Sequence, residues 1–393
     1  MRPGTGTGPV ELTAAEVTSQ SLAAGAIGTA LLHIERALSG SGDWGSAHTL
    51  LRQATAGPVD AAPHAGLYYG APAVAFALHA ASSGGHPGYR SAAEALDEHV
   101  RSVAHRRLAA AAERMQRGQS ATFREYDLFY GLAGIGVLLL RRAPGSDTFA
   151  EVLRYVIRLT SPRREDGCEV PGWWVAHDPD PLLPTPGGHA NLGMAHGAAG
   201  LLALLALATL HDCVVDGQDQ ALRCLSAWFD RWRQDSADGP WWPQWLTREN
   251  LRTGRPTQHD PGRPSWCYGA AGIARAQQLA AIATHDAVRR TAAEDALAAC
   301  LGERQLHRIT EAGLCHGMAG VYQSAYRAAR DAHNPAIGHR LPSVAAALAR
   351  HAAATRTNET GLLTGGAGVD LALETVRHTT PPRSEWDACL LIT

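Results

Sequence analysis

Two cysteines and three ring-bearing residues stand at matching places before glycines. Cys267 comes two residues before Gly269, and Cys315 two before Gly317. His316 comes one residue before Gly317, as His196 does before Gly197 and Tyr268 before Gly269. Thiolate sulfur and imidazole nitrogen suit Zn²⁺. Three protein ligands would leave a fourth position open, which marks a catalytic rather than a structural zinc. The spacing is not that of a zinc finger, and C-x-x-C is absent. A cysteine in an Ala-rich helical chain is ordinarily a small core residue. Cys168, Cys213, Cys224, Cys300 and Cys389 keep that reading; the shared register sets Cys267 and Cys315 apart.

The glycines belong to a repeat. A G-x-x-G/A turn followed by a mostly apolar run occurs at Gly25, Gly70, Gly131, Gly197, Gly269, Gly317 and Gly365. The intervals are 45, 61, 66, 72, 48 and 48 residues. Such an interval holds two helices and their turns, and helical hairpins bury their apolar faces by stacking. The runs after the glycines, such as Gly200–Ala206, are apolar nearly all round, so these helices are covered on every side. They are the expected inner helices. The charged stretches between them, such as Ser91–Gln116, are the expected outer ones. The expected fold is all-α, an αα-toroid of about seven inner and seven outer helices, as one domain over residues 1–393 built from seven hairpin repeats. An open solenoid has the same periodicity. In a closed ring, equivalent helix starts converge on the axis and bring distant residues into one pocket.

Composition narrows the function. The chain has 393 residues, a net charge of −2 and 6% aromatics. No basic run suggests nucleic acid or an anionic membrane. The most apolar stretch, Gly197–Leu210, is too short to span a bilayer. Residues 1–18 lack an apolar signal core, and the seven scattered cysteines do not form a disulfide framework; both point to the cytoplasm. Two longer connections, Ser161–Gly188 and Ser236–Ser265, carry Trp173, Trp174, Trp241, Trp242 and Trp245. Loops of that length are often lids, and these tryptophans, Trp242 and Trp245 above all, are expected to line a channel. His177-Asp178-Pro179-Asp180 reads as a solvated turn.

Several motifs together resemble the lanthionine synthetase C-like family, the zinc cyclases of lanthipeptide biosynthesis. They are Ser265-Trp266-Cys267-Tyr268-Gly269, Cys315-His316-Gly317 and Asn191-Leu192-Gly193-Met194-Ala195-His196-Gly197. Tyr126-Asp127 ahead of Gly131-Leu132-Ala133-Gly134 matches too, as does the ending Trp386…Leu390-Leu391. Ala73 departs from the usual second glycine. The resemblance implies an αα-toroid with zinc held by Cys267, Cys315 and His316. It implies active-site positions at Asp127, His196, Arg263 and Tyr268. With no dehydratase or kinase region seen ahead of it, the chain resembles a free-standing cyclase. A dehydrated precursor peptide is the implied substrate, and a dehydratase and an exporter are the implied partners in a complex.

The implied reaction is addition of a peptide cysteine thiol to the β-carbon of dehydroalanine or dehydrobutyrine, closing a (methyl)lanthionine ring. A free thiol, with a pKa near ~8.5, is only a few per cent thiolate at neutral pH, and zinc removes that limit. His196 is the candidate acid for the enolate, with Asp127 holding its tautomer. Arg263 either polarises the enolate oxygen or holds Asp127; Tyr268 either donates a proton or packs. Two other readings use the same chain: intermolecular addition of a thiol such as glutathione, and a non-catalytic scaffold in a modification complex. A glycosidase or terpene cyclase would need acidic pairs in the inner turns, and none is found there.

Overall fold

In the computed structural model, residues 12–83, 86–180, 182–354 and 360–393 are described. Each glycine turn opens a helix: Ala26–Ser39, Ala71–Ser83, Leu132–Arg142, Ala198–Leu210, Ala270–Ala283, Met318–Asp331 and Gly366–His378. Each packs on the next, and the seventh packs back on the first. The ring is closed, which an open solenoid cannot be. The αα-toroid is therefore the fold.

Six longer helices stand outside: Trp44–Ala54, Asp97–Gln116, Asp147–Leu159, Gln218–Trp232, Ala287–Cys300 and Ala336–Ala354. Each pairs with the inner helix before it. Among the described residues, no such helix follows the seventh inner one. Pro381-Pro382 stop further helix there, and the chain turns inward instead. Trp386–Ile392 are all buried. Their carbonyls accept from the inner helices and turns: Leu390 from Trp266 Nε1 at 2.9 Å, Cys389 from the Tyr68 hydroxyl at 2.9 Å, Ile392 from Arg275 at 2.8 and 3.0 Å. Arg327 grips Asp387 through two bonds of 2.6 and 2.7 Å. This tail fills the ring.

The two sets of helices begin differently. Asp43, Ser146 and Asp286 cap outer helices, each side chain accepting the N–H three residues on at 3.0–3.3 Å. Inner helices are capped by glycine without a side-chain bond. Their first N–H groups reach back seven residues to backbone carbonyls, as Met318 to Glu311 at 2.9 Å and Ala319 to Ala312 at 3.0 Å. So tight a turn leaves no room for a Cβ. At Gly28, Gly134, Gly200, Gly272, Gly320 and Gly368 an added Cβ would lie 1.8–2.4 Å from the carbonyl oxygen six residues earlier. Close approach, rather than a left-handed backbone, requires glycine there. The second repeat is the exception: Gly70 has φ +71°, and Ala73 takes the second-glycine place.

A ring of backbone hydrogen bonds joins the turns, each accepted by the carbonyl two residues before a capping glycine. Cys315 N–H donates to Leu363 O, Cys267 to Cys315 and Ala195 to Cys267, at 3.0–3.2 Å. The chain of bonds goes on from Leu128 to Ala195, Tyr68 to Phe129 and Leu22 to Tyr68, and Leu363 donates to Ala23 at 3.0 Å to close it. Every inner helix therefore starts at the same end of the toroid.

The two long connections hold three antiparallel pairs of three-residue strands. Arg163–Glu165 pairs with Cys168–Val170, Gln234–Ser236 with Gly239–Trp241, and His189–Asn191 with Trp245–Thr247. The last pair ties one connection to the other. Trp173, Trp174, Trp241 and Trp242 do not line a channel. All four are buried, and the Trp242 indole donates to Phe229 O at 2.8 Å. Their large apolar area anchors the connections to the core. Only Trp245 stays half-buried, with its ring centroid 6.4 Å from that of His189. No described helix is long and apolar enough to cross a membrane.

Candidate functional site

The residue one before each capping glycine takes an equivalent place at the helix-start end. Going round, these are Ala24, Tyr69, Tyr130, His196, Tyr268, His316 and Thr364. His196, Tyr268 and His316 therefore stand on three successive turns. Ligand atoms of Cys267, Cys315 and His316 all lie within 4.8 Å of one another. Cys267 is buried, and Cys315 and His316 are partly exposed to the pocket. The ring bond from Cys267 N–H to Cys315 O is what brings the two thiols face to face. All seven cysteines are free.

The two thiols perturb each other in opposite directions. Cys267 is held well below the usual thiol range by the Cys315 thiol donating to it, and further by His316 and Ser265. The same contact drives Cys315 upward. Contact with the Cys267 sulfur raises His316. Two sulfurs and an imidazole nitrogen converging on one place form a donor set that suits a cation. Zn²⁺ fits it, because it draws the second proton off and takes sulfur and nitrogen readily. The remaining polar contacts support the set. Ser265 Oγ lies 3.5 Å from Cys267 Sγ, and His316 Nε2 lies 2.6 Å from Glu311 Oε2.

Beside this cluster, His196 Nδ1 donates to Asp127 Oδ2 at 2.6 Å. Asp127 is buried, and its other oxygen accepts the N–H groups of Tyr130 and Gly131 at 2.7 and 2.9 Å. The aspartate is thus fixed by the helix start it precedes, and it fixes the imidazole in turn. The ring of His196 is stacked on Phe123 at 4.9 Å and meets Phe129 edge-on at 4.8 Å. Tyr268 lies tilted at 5.9 Å on the pocket side. Burial raises the Tyr268 phenol, so its proton is held tightly.

Arg263 does not hold Asp127; its ion-pair partner is Glu311, at 3.3 Å. His177 is more than a solvated turn. It accepts from Phe123 N at 3.3 Å and its ring meets Phe123 at 4.6 Å. That contact ties the Pro-rich loop to the ring stacked on His196. Three residues, Phe123, Phe129 and Glu311, escaped the sequence reading, and Asn191 stood in a motif without a role of its own. Phe129 occupies the same register place as Cys267 and Cys315. Asn191 and Glu311 occupy the same place as Arg263, six residues before the glycine, so the register could have found all three. Phe123 carries no such signal.

The sequence model for lanthionine synthetase C-like proteins matches residues 16–391. The chain belongs to that family. Among solved structures, a nisin cyclase superposes on this family member with a TM-score of 0.81 at 18% identity, covering 96% of this chain and 93% of that one. No curated protein matches. The likeness to the cyclase carries the fold: a lanthionine synthetase C-like toroid over nearly its whole length.

Proposed function

We propose that this protein closes thioether rings in a dehydrated precursor peptide, acting as one catalytic domain with zinc at Cys267, Cys315 and His316. The observation that carries the reading is the placement of two different chemical sets on adjacent turns of one ring. One is a sulfur-rich cation site, the other an oriented His–Asp pair. Zinc, when bound, would supply a Lewis acid that keeps a substrate cysteine as thiolate at neutral pH.

The chain's own residues supply the rest. The substrate thiolate adds to the β-carbon of dehydroalanine or dehydrobutyrine; the C–S bond forms, and the π-electrons move to the carbonyl as an enolate. His196 delivers a proton from Nε2 to the α-carbon. Asp127 on Nδ1 keeps that nitrogen facing the pocket and favours the charged ring. Phe123 and Phe129 prevent the imidazole from swinging away. Tyr268, with its tightly held proton, donates a hydrogen bond to the enolate oxygen. The inner helix starts add positive potential where thiolate and enolate carry negative charge. A groove of about 810 Å³, lined by residues including Thr122, Arg163 and His177, has room for an extended peptide, and its His177 meets Phe123. The cytoplasm is the proposed compartment, and a dehydratase and an exporter are the proposed partners.

The test is to give the zinc-loaded protein a dehydrated, cysteine-bearing precursor peptide, with and without glutathione. Products are alkylated at free thiols and weighed. Loss of alkylatable cysteine without added mass is expected. Adducts that appear only with glutathione would assign intermolecular addition instead, and no thiol loss in either arm would leave a scaffold.

A further inference from the structure

The repeat places a further set of side chains six residues before the capping glycines of three successive turns. Around the pocket these are Asn191, Arg263 and Glu311. An added Cβ on Gly197, Gly269 or Gly317 would lie 2.4, 2.4 or 2.6 Å from the carbonyl oxygen of the respective residue, so all three share one backbone position. Because the turns are neighbours in a closed ring, Arg263 and Glu311 meet, with N–O at 3.3 Å. Glu311 also reaches forward to its own turn, where its Oε2 lies 2.6 Å from His316 Nε2. Its carbonyl accepts from Met318 N–H at 2.9 Å, so its backbone is pinned by the helix that carries the imidazole. The carboxylate lies outside the cluster formed by the two thiols and the imidazole.

We propose that Glu311 is the outer partner of the metal-ligating His316: its carboxylate holds the proton on Nε2 and leaves Nδ1 to the ion, while Arg263 holds the carboxylate. The proposal rests on the reading of Cys267, Cys315 and His316 as ligands. An imidazole free to flip, with either nitrogen able to ligate, must be ordered each time an ion binds. A carboxylate on one nitrogen removes that choice and makes the other a stronger donor. Glu311 is thus a positioning residue. Arg263 acts one step further out: it neutralises a carboxylate that would otherwise compete for the ion or swing into solvent.

The experiment measures zinc affinity by competition with a chromophoric chelator in the full-length protein, for wild type, Glu311→Ala, Glu311→Gln and Cys267→Ala. The melting temperature of each zinc-free protein is recorded beside it. Glu311→Ala is expected to weaken zinc by about 10–100-fold, the usual loss for an outer-shell partner. Glu311→Gln keeps an acceptor oxygen and should lose less. Zinc-free melting should not change, because the carboxylate is half exposed. Affinity within twofold of wild type in both Glu311 variants would overturn the proposal. So would a zinc-free melting point that falls in step with affinity, since Glu311 would then serve the fold. Cys267→Ala separates the two levels: if it loses zinc while the Glu311 variants keep it, only the outer partner is wrong. If Cys267→Ala keeps zinc, the ligand reading itself is wrong.

Discussion

The turns at Gly131, Gly197, Gly269 and Gly317 make one arc of the ring, and those at Gly365, Gly25 and Gly70 make the other. Their backbones do the same work. Each passes on the bond of the axial circle, and each opens an inner helix at the same end. The side chains at the equivalent places differ. One arc presents Cys267, Cys315, His196, Tyr268 and His316; the other presents Ala23, Leu363, Ala24, Tyr69 and Thr364. Ring closure and chemistry are thus carried by different atoms of the same residues. A turn can gain or lose a reactive group without opening the ring, provided its glycines stay.

That contrast can be broken most sharply at the axial position. Cys315→Ala is expected to lose zinc and ring formation together, read by metal content and by thiol alkylation. Leu363→Ala, at the same place in the other arc, should cost about 2–5 kcal/mol of stability, read by denaturant melting, and keep its zinc. Zinc at wild-type level in Cys315→Ala would abolish the distinction. One position on, His196→Asn should keep zinc and lower turnover by about 10²–10⁴-fold. Tyr69→Phe, which gives up a 2.9 Å bond to Asp60, should lose about 1 kcal/mol and no turnover. The glycines should ignore the division. Gly320→Ala and Gly368→Ala place a Cβ 1.9 and 1.8 Å from a carbonyl, and each should cost at least about 1–3 kcal/mol. A harmless alanine at Gly368 would show that only the reactive arc needs tight turns.

A further effect is on pH. His189 sits on the strand beside the reactive arc, and burial pushes it down to about 4. Its folded value is below its unfolded one, so the neutral ring contributes fully above about pH 6.5. That contribution fades as pH falls toward 4, by up to about 3 kcal/mol. Urea melts at pH 7, 5.5 and 4.5 should show the decline in wild type and a flatter profile in His189→Gln.

The sequence pattern carried the toroid because the glycine turns repeat in register, and register is a property of spacing alone. The same register set Cys267, Cys315, His316 and His196 apart, whereas Asp127, four residues before its glycine, came only with the family resemblance. Spacing could not distinguish the fates of the long connections. Trp242 looked like a channel residue because it lies in a Pro-rich stretch, yet its indole finds a buried carbonyl and its ring fills the core. Arg263 looked free to choose Asp127. Its choice of Glu311 joins it to the next turn, whereas Asp127 stands two turns back. Phe123 was invisible because its stacking on His196 joins residues 73 apart, with no repeat to relate them.

The bond between Leu363 and Ala23 has a consequence for synthesis. The first turn must wait for the seventh before the axial circle can close, and residues 386–392 must then enter to fill it. Helical hairpins can form one by one as the chain leaves the ribosome, but the pocket at their starts is the last thing to exist. A half-made molecule presents its cysteines on an unclosed arc, so Cys267 and Cys315, the proposed metal ligands, stand as exposed thiols until the ring closes.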